Sequence, residues 1–326
     1  MNSAPPITRT VDYLRISITD RCNERCLYCM PEGFSDWKAR EEILTYDEIL
    51  HTARTAVELG FRKFRVTGGE PLVRKDAAEF IARLIALPGV GQVNLSTNGT
   101  RLAQVAECLA DAGLTGVNIS LDAVDPAIYN RITGGKLSEV LAGIDAAKAA
   151  GIGKIKLNAV LMRGVNENQI WPLVEFAAAR KVILRFIELM PVSLTEMLDD
   201  RNFFPIAEAR QIIAARTSVV PDDRKYGNGP AQYFRLPEIG ATVGFIGAIT
   251  NLHFCDTCNK MRLTADGKIR PCLGNHGEID LKPALRPVYD PEHMRELFVA
   301  ALRDKPPEHS FRNQYKPGRI MTAIGG

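Results

Sequence analysis

Short runs in which apolar and polar residues alternate recur along the first part of the chain. They cover residues 13–19, 64–69, 93–99, 116–122, 154–160 and 182–189. Alternation with a period of two predicts β-strands, whereas the segments between the runs, such as residues 46–60 and 138–151, have the pattern of helices. A repeated strand–helix unit indicates parallel strands that are covered by helices.

In the first five runs the polar positions share one face. Leu14 and Ile16 lie on the face opposite Arg15, and Val66 lies opposite Arg65. Parallel strands that are buried on both sides are usually apolar throughout, so a polar face needs a reason. We therefore predict an α/β fold, a partial (β/α)6 barrel of the TIM type, whose polar strand faces line a wet, ligand-binding cavity. An antiparallel sheet with one solvated face is the alternative.

The chain changes character after the sixth run, where residues 221–230 are rich in turn-forming and charged residues. We predict a boundary here, between a barrel domain of residues 1–225 and a C-terminal region of residues 226–326. In that region "QYFRL" and "ATVGFIGAI" predict a hairpin. The basic, proline-rich residues 305–326 have no evident core and predict a frayed terminus.

A second hairpin is predicted within "KMRLTADGKIRPCL", because Asp266-Gly267 is a strong two-residue turn signal. Folding about this turn places Cys272 across from Met261 and beside Cys258. Three cysteines that are distant in sequence are thereby expected to converge.

Composition excludes several classes of function. The chain has 326 residues, is 46% hydrophobic and carries a formal net charge of +3. That charge is too small for a nucleic-acid coat or a membrane-surface role, so neither nucleic acid nor membrane is an expected partner. No apolar run approaches the ~20 residues of a membrane span, and the first ten residues lack the apolar core of a signal peptide. We expect a cytoplasmic protein.

Six of the seven cysteines form two groups of three, with Cys108 alone between them. The first group is Cys22, Cys26 and Cys29, and the second is Cys255, Cys258 and Cys272. A structural zinc site normally has four ligands, so three thiolates indicate a metal centre with one open position. In the second group His276 could complete a Cys3His zinc site, and this alternative remains open from spacing alone.

Several motifs together resemble one known family. "CNERCLYC" matches the C-x3-C-x2-C signature of the radical S-adenosylmethionine (SAM) superfamily, and "TGGEP" and "NISLD" extend the match. "FCDTCNKMRLTADGKIRPCL", with its C-x2-C-x13-C spacing, and the Gly-Gly end resemble the molybdenum cofactor biosynthesis protein A family, the GTP 3′,8-cyclases. The likeness spans almost the whole chain.

The resemblance implies two 4Fe–4S clusters and SAM as cofactors. The first cysteine group would hold three irons of the cluster that binds SAM, and the second would hold an auxiliary cluster in the C-terminal extension, whose open iron meets the substrate base. Cofactor-binding positions that follow from the family are Tyr28, Gly69, Ser120 and Met190.

The polar strand faces and the family agree on the substrate site. A triphosphate needs several cations, and the sequence offers them on different strands. The substrate-binding positions are Arg15, Arg65, Ser96, Lys156, Arg185, Lys260 and Arg262, and Lys156 and Arg262 are also the expected catalytic residues. Two positions depart from the family pattern, since Lys260 replaces its usual arginine and Ser96 replaces its usual threonine.

The resemblance also implies a reaction and partners. A 5′-deoxyadenosyl radical would take hydrogen from C3′ of GTP, and C3′ would then bond to C8, giving (8S)-3′,8-cyclo-7,8-dihydroguanosine 5′-triphosphate for molybdenum cofactor biosynthesis. The expected partners are a low-potential electron donor, a downstream cyclic pyranopterin monophosphate synthase and a second copy of the chain. The alternatives are a radical SAM enzyme that modifies peptides and a non-catalytic iron–sulfur redox protein.

Overall fold

The computed structural model describes residues 9–195, 197, 199, 201–313 and 315–325. The strands are β1 Tyr13–Ser17, β2 Lys63–Thr67, β3 Gln92–Thr97, β4 Gly116–Ser120, β5 Ile155–Leu161, β6 Ile183–Glu188, β7 Val220–Asp222, β8 Gln232–Leu236, β9 Ala241–Ile246, β10 Lys260–Leu263, β11 Lys268–Arg270 and β12 Ile279–Asp280. The helices are α1 Tyr46–Glu58, α2 Ala77–Ile85, α3 Ala106–Asp111, α4 Pro126–Thr133, α5 Leu137–Ala149, α6 Ile170–Arg180, α7 Ile206–Ala214, α8 Lys282–Leu285, α9 Pro291–Arg303 and α10 Met321–Ile324.

Strands β1 to β6 lie side by side in chain order, and each pairs with the next in parallel. This arrangement confirms the partial six-stranded barrel and excludes the antiparallel sheet. The C-terminal region extends both edges of the same sheet, because β10 pairs in parallel with β1 and β9 pairs in parallel with β6. The remaining strands are antiparallel: β11 and β12 follow β10, and β8 and β7 follow β9.

Local sequence signals explain where several helices begin. Thr45 caps α1, since its hydroxyl accepts the backbone N–H of Glu48 and the Glu48 carboxylate accepts the N–H of Thr45. The Asp125 side chain caps α4, which starts with a proline and ends at Gly134 with a positive φ of 69°. Asp290 caps α9 in the same way. These caps fix the residues at which α1, α4 and α9 begin.

The core lies between the strands and the helices. Leu14, Ile16, Phe64 and Val66 are fully buried on the outward face that the alternation predicts. Their burial contributes roughly 25 cal/mol for each Å² of apolar surface removed from water, which makes this layer the main stabilising part of the fold. The polar face is thereby left to line the interior.

The predicted hairpin of "QYFRL" and "ATVGFIGAI" is confirmed as β8 and β9. The second hairpin forms, but its predicted register was wrong by one residue. Arg262 pairs with Arg270 and Leu263 with Ile269, and the N–H of Thr264 donates to the carbonyl of Lys268, so the turn has three residues, 265–267, rather than two. Continued two residues beyond the Arg262–Arg270 pair, this register brings Cys272 opposite Lys260 and not opposite Met261.

The prediction of a frayed terminus was also wrong. Residues 321–324 form α10, and Ile320 and Ile324 are 7% and 3% exposed. The proposed division between residues 225 and 226 stays a prediction, although the sheet runs through both parts. Within the described ranges, no helix combines the length and apolarity that crossing a bilayer requires.

The packing predicts a large effect at the centre of the core. Leu157 on β5 is fully buried, so Leu157→Ala should lower the free energy of unfolding by about 2–5 kcal/mol. Val288 is 77% exposed, and Val288→Ala should change it by less than about 0.5 kcal/mol. Urea denaturation of both variants checks this, and equal midpoints would contradict the assigned faces.

Candidate active site

The polar faces of the strands enclose one cavity of about 350 Å³. Every site residue predicted from the sequence lines this cavity: Arg15, Cys22, Cys26, Tyr28, Cys29, Arg65, Gly69, Ser96, Ser120, Lys156, Arg185, Met190, Cys255, Cys258, Lys260, Arg262 and Cys272. The two cysteine groups, although more than 200 residues apart in sequence, therefore open onto the same space.

The first cysteine group lies on the loop that follows β1. Its last turn is fixed by the backbone, since the N–H groups of Cys29 and Met30 both donate to the carbonyl of Cys26. Tyr28 turns its hydroxyl away from this turn and donates to Asp122 at 2.8 Å. All three cysteines are free thiols. The loop thus presents three thiolate donors to the cavity with no fourth cysteine, as a cluster with one open iron requires.

Gly69 is required by a close approach between two backbone segments. A Cβ at this position would lie 2.4 Å from the carbonyl oxygen of Arg21, and the Gly69 N–H donates to the carbonyl of Thr19 at 2.8 Å. The glycine therefore lets the end of β2 pack against the start of the cysteine loop. Gly69 lies on the cavity wall as expected. The atom that leaves no space for a side chain there is the carbonyl oxygen of Arg21 in the cysteine loop.

Three buried carboxyl groups surround the first cysteine group. Burial raises the pKa of Glu24 and of Glu70 to about 7 each, and it raises the pKa of Asp122 to about 6. Glu24 accepts a hydrogen bond from the Tyr129 hydroxyl at 2.7 Å. This end of the cavity is consequently rich in acidic groups and suits a ligand that carries positive charge or several donors.

The second cysteine group has a different environment. Burial alone would raise the pKa of Cys258, but the charges of Lys305 and Lys260 hold it below its ordinary value. In contrast, burial raises the pKa of Cys22 to about 12. Burial also raises the pKa of Cys255 and of Cys272, so it is at Cys258 that the nearby cations outweigh burial.

The zinc alternative is not supported at the second group. His276 is exposed and its ring stacks on Tyr315, with 4.8 Å between the ring centroids. Among the described residues, no group of three or more His, Cys, Asp or Glu side chains is arranged to hold a single metal ion. Three free thiols without His276 fit a cluster, in which each thiolate binds a different iron.

Cations form the wall between the two cysteine groups. Arg65 donates to the Tyr13 hydroxyl at 2.5 Å and to Ser96 Oγ at 3.2 Å, while Lys156 donates to the carbonyl of Tyr226. No carboxylate of the described residues forms an ion pair with Arg65, Lys156, Arg185, Lys260 or Arg262.

Burial and repulsion by neighbouring cations destabilise the charged forms of Lys156, Lys260 and Arg262. Burial, followed by the charges of Arg185 and Arg65, lowers the pKa of Lys156 to about 7. Burial is also the largest cause for Lys260, whose pKa falls to about 8, and for Arg262, whose pKa falls to about 10. A polyanion in the cavity would relieve this repulsion.

The C-terminal residues complete the cavity. The carbonyl oxygen of Gly325 accepts hydrogen bonds from Arg262 at 2.7 Å and from Arg15 at 3.3 Å. Ser193 connects the same segment to the first cysteine group, because its hydroxyl donates to the carbonyl of Cys29 and accepts the N–H of Met321. The terminus therefore touches both the cationic wall and the first cysteine loop.

Sequence reasoning missed several residues in or next to the cavity. Tyr13 lies on the same strand face as Arg15, so the alternation could have identified it. Lys305 and His309 also lie at the second cysteine group, but they follow α9 and carry no motif that links them to it. Only the fold reveals their position.

The fold and the first cysteine group define a radical SAM protein. A family model described as the Radical SAM superfamily matches residues 16–177, and one described as Molybdenum Cofactor Synthesis C matches residues 182–311. Streptococcus suis SuiB, solved with its precursor peptide SuiA, has the same fold, with a TM-score of 0.62 over 94% of this chain and 76% of that chain. At 18% sequence identity this likeness concerns the fold alone.

Named relatives show to which family of radical SAM proteins the chain belongs. The GTP 3′,8-cyclase of Petrotoga mobilis is 41% identical and that of Moorella thermoacetica is 43% identical, each over 98% of this chain and 98% of the relative. The GTP 3′,8-cyclase 1 of Pseudomonas aeruginosa is 43% identical over 98% of this chain and 97% of its own length. The chain belongs to the GTP 3′,8-cyclase family.

The two thiol groups predict the metal content. Anaerobically reconstituted protein should contain about eight irons and eight sulfides per chain, because each group of three cysteines suits one 4Fe–4S cluster. Iron, sulfide and zinc analysis of the same sample checks this. About four irons with one zinc would contradict the assignment of the second group.

Proposed function

We propose that the protein is a GTP 3′,8-cyclase that converts GTP to (8S)-3′,8-cyclo-7,8-dihydroguanosine 5′-triphosphate, a lyase reaction of molybdenum cofactor biosynthesis. The observation that carries this proposal is one cavity that joins two groups of three free thiols through a wall of cations. The names of the relatives agree with it.

The first cysteine group would hold the SAM-binding cluster, and the second would hold the auxiliary cluster. When bound, the first cluster supplies the electron that cleaves SAM to methionine and a 5′-deoxyadenosyl radical. The positions proposed for SAM are Tyr28, Gly69, Ser120 and Met190, all on the cavity wall. The carboxyl groups of Glu24 and Glu70, also near this end, match the positive charge of the SAM sulfonium.

The cationic wall would bind the triphosphate and orient the ribose. The proposed contacts are Arg15, Arg65, Ser96, Lys156, Arg185, Lys260 and Arg262, with Lys156 and Arg262 as the catalytic cations. The Nε atom of Arg185 and the Oδ1 atom of Asn158 are buried without a hydrogen-bond partner among the described residues. Such atoms are costly unless a ligand satisfies them, which supports a polar ligand here.

The two alternative functions are not favoured. A peptide-modifying enzyme needs a groove for an extended chain, whereas this cavity concentrates cations that suit a compact polyanion. A redox protein without catalysis has no use for a ligand cavity between its clusters. The cationic wall therefore favours the cyclase over the peptide-modifying enzyme and over the redox protein.

The remaining partners rest on the family alone. They are a low-potential electron donor, a downstream cyclic pyranopterin monophosphate synthase and a second copy of this chain in a homodimer. We propose the cytoplasm as the cellular location, because a reducing compartment would keep the six thiols free to bind iron. We also propose that residues 1–225 form the radical SAM partial-barrel domain and that residues 226–326 form the C-terminal region that carries the auxiliary cluster and binds substrate.

The two cysteine groups should separate two activities. Cys22→Ser should abolish formation of 5′-deoxyadenosine, since it damages the site that cleaves SAM. Cys272→Ser should abolish cyclisation of GTP while some SAM cleavage survives, because only the substrate site is damaged. The measurement is deoxyadenosine and cyclised nucleotide in parallel, with GTP and with other nucleotides, under anaerobic reducing conditions.

Cys108→Ser is the matched control, because this exposed cysteine lies outside the cavity, and it should keep both activities. SAM cleavage by the Cys22 variant would contradict the assignment of the SAM-binding cluster to the first cysteine group. So would cyclisation at the parental rate by a Cys272 variant whose first cluster is intact.

Lys156 should make GTP binding depend on pH. Its pKa in the free protein is about 7, and a nearby phosphate should raise it, so binding takes up a proton above pH 7. Affinity should therefore fall between pH 7 and 8.5, by up to roughly tenfold per pH unit from this group. Calorimetry in two buffers of different ionisation enthalpy measures the uptake.

Lys156→Met should reduce this proton uptake to the part that comes from Lys260, whose pKa is about 8, whereas Lys154→Met, at an exposed position two residues away, should retain all of it. Equal uptake in the two variants would show that Lys156 does not face the phosphates.

A further inference from the structure

Residues 305–309, which follow α9, pass along the second cysteine group, and we refer to them as the strap. The backbone N–H of His309 donates to Cys255 Sγ at 3.4 Å, and the Lys305 ammonium lies 3.8 Å from Cys258 Sγ. Arg9 fixes the strap between these points by donating to the carbonyl groups of Pro306 and Pro307. Both ends of the strap thus direct a donor toward a sulfur atom.

Lys305 is a buried charge whose donors can be counted. It is 4% exposed, and an ammonium group has three N–H donors. Its Nζ donates to the carbonyl of Lys260 at 2.7 Å and to the carbonyl of Pro271 at 2.8 Å. These two contacts leave one donor, and Cys258 Sγ is the acceptor that remains.

The two carbonyl groups belong to different limbs of the second cysteine group. Lys260 follows Cys258 closely, and Pro271 directly precedes Cys272. Lys305 therefore bridges the limbs as well as facing the sulfur. No carboxylate of the described residues forms an ion pair with it, so Cys258 Sγ, once deprotonated, is the anionic partner within its reach.

The other cations near this group have different acceptors. Arg9 donates to backbone carbonyl groups, including that of Cys255 at 3.0 Å. Lys260 donates to the carbonyl of Asn228, and Arg262 donates to the carbonyl of Gly325. Lys260 and Arg262 also line the cavity, where a bound anion would compensate them, whereas Lys305 does not.

We propose that Lys305 is a positioning residue that acts as the fixed counter-charge of the auxiliary cluster and raises its reduction potential. This inference rests on the proposed function, which assigns a 4Fe–4S cluster to Cys255, Cys258 and Cys272. One-electron reduction makes a cluster and its thiolates more negative, so a buried cation beside one sulfur stabilises the reduced form more than the oxidised form. The N–H···S contact acts in the same direction.

The test isolates the auxiliary cluster in the full-length chain. Replacing Cys22, Cys26 and Cys29 together by Ser leaves a single cluster after anaerobic reconstitution. In this background Lys305→Met, Lys305→Gln and Lys305→Arg are compared with Lys148→Met, an exposed lysine on α5. Iron content gives the loading, and a dithionite titration followed by electron paramagnetic resonance gives the midpoint potential.

We expect Lys305→Gln and Lys305→Met to lower the potential, so that the ratio of reduced to oxidised cluster at a fixed solution potential falls about tenfold, or about 59 mV for one electron. Lys305→Arg should retain most of the parental potential because it keeps the charge. Lys148→Met should not change it.

An unchanged potential in a loaded Gln or Met variant would overturn the proposal and leave Lys305 as a brace between the two limbs. If neither neutral variant binds a cluster, the Lys305→Arg variant decides between charge and shape. Cluster binding by this variant would support a requirement for positive charge. Failure to bind would overturn the proposal, because it would show that the shape of lysine is what the site requires. A failure of the proposed function is visible separately, because the background protein with Lys305 intact would then hold no cluster.

Discussion

The site depends on cations inside the barrel, such as Lys156, Lys260 and Arg262, that form no ion pair with a carboxylate of the described residues. Removing such groups from water is unfavourable, and their mutual repulsion adds to the cost. The structure offsets this with a fully apolar outer face on the same strands, where Leu14 and Val66 pack under the helices. Neutral carbonyl groups then satisfy part of the donors: Tyr226 for Lys156, Asn228 for Lys260 and Gly325 for Arg262. A neutral carbonyl group binds a cation more weakly than a phosphate does. The carbonyl groups therefore hold these side chains in position in the free protein, and a polyanion can still displace them.

The two ends of the cavity have opposite electrostatic character. Glu24, Glu70 and Asp122 surround the first cysteine group, whereas Lys305 and Lys260 face the second. Under the proposed function, the positively charged SAM lies at the acidic end and the negatively charged GTP lies toward the basic end. Each ligand would be disfavoured at the wrong end by like charge, so the polarity of the cavity fixes the orientation of the reacting pair.

The sequence predicted the parts of this site that follow a local period. Alternation with period two is a property of neighbouring residues, so it placed Arg65 and Lys156 on the correct face before any tertiary contact was known. The hairpin register failed because turn length depends on tertiary packing: the N–H of Leu44 donates to the carbonyl of Ala265, and Arg319 donates to Asp266. Lys305 could not be assigned at all, since its three acceptors lie 34 to 47 residues away in sequence.

The C-terminal segment shows why composition misled there. Its few apolar residues cannot form a core alone, but Ile324 is buried against the barrel, and Gly325 reaches the ends of β1 and β2. A Cβ on Gly325 would lie 2.9 Å from Thr67 Cγ2 and 3.0 Å from Ser17 Cβ, and its φ of 74° favours glycine independently. Both the lack of space for a side chain and the positive φ thus require glycine at position 325, whose carbonyl group accepts the hydrogen bond from Arg262. The barrel strands provide the cations, but the last residues of the chain determine how two of them are oriented.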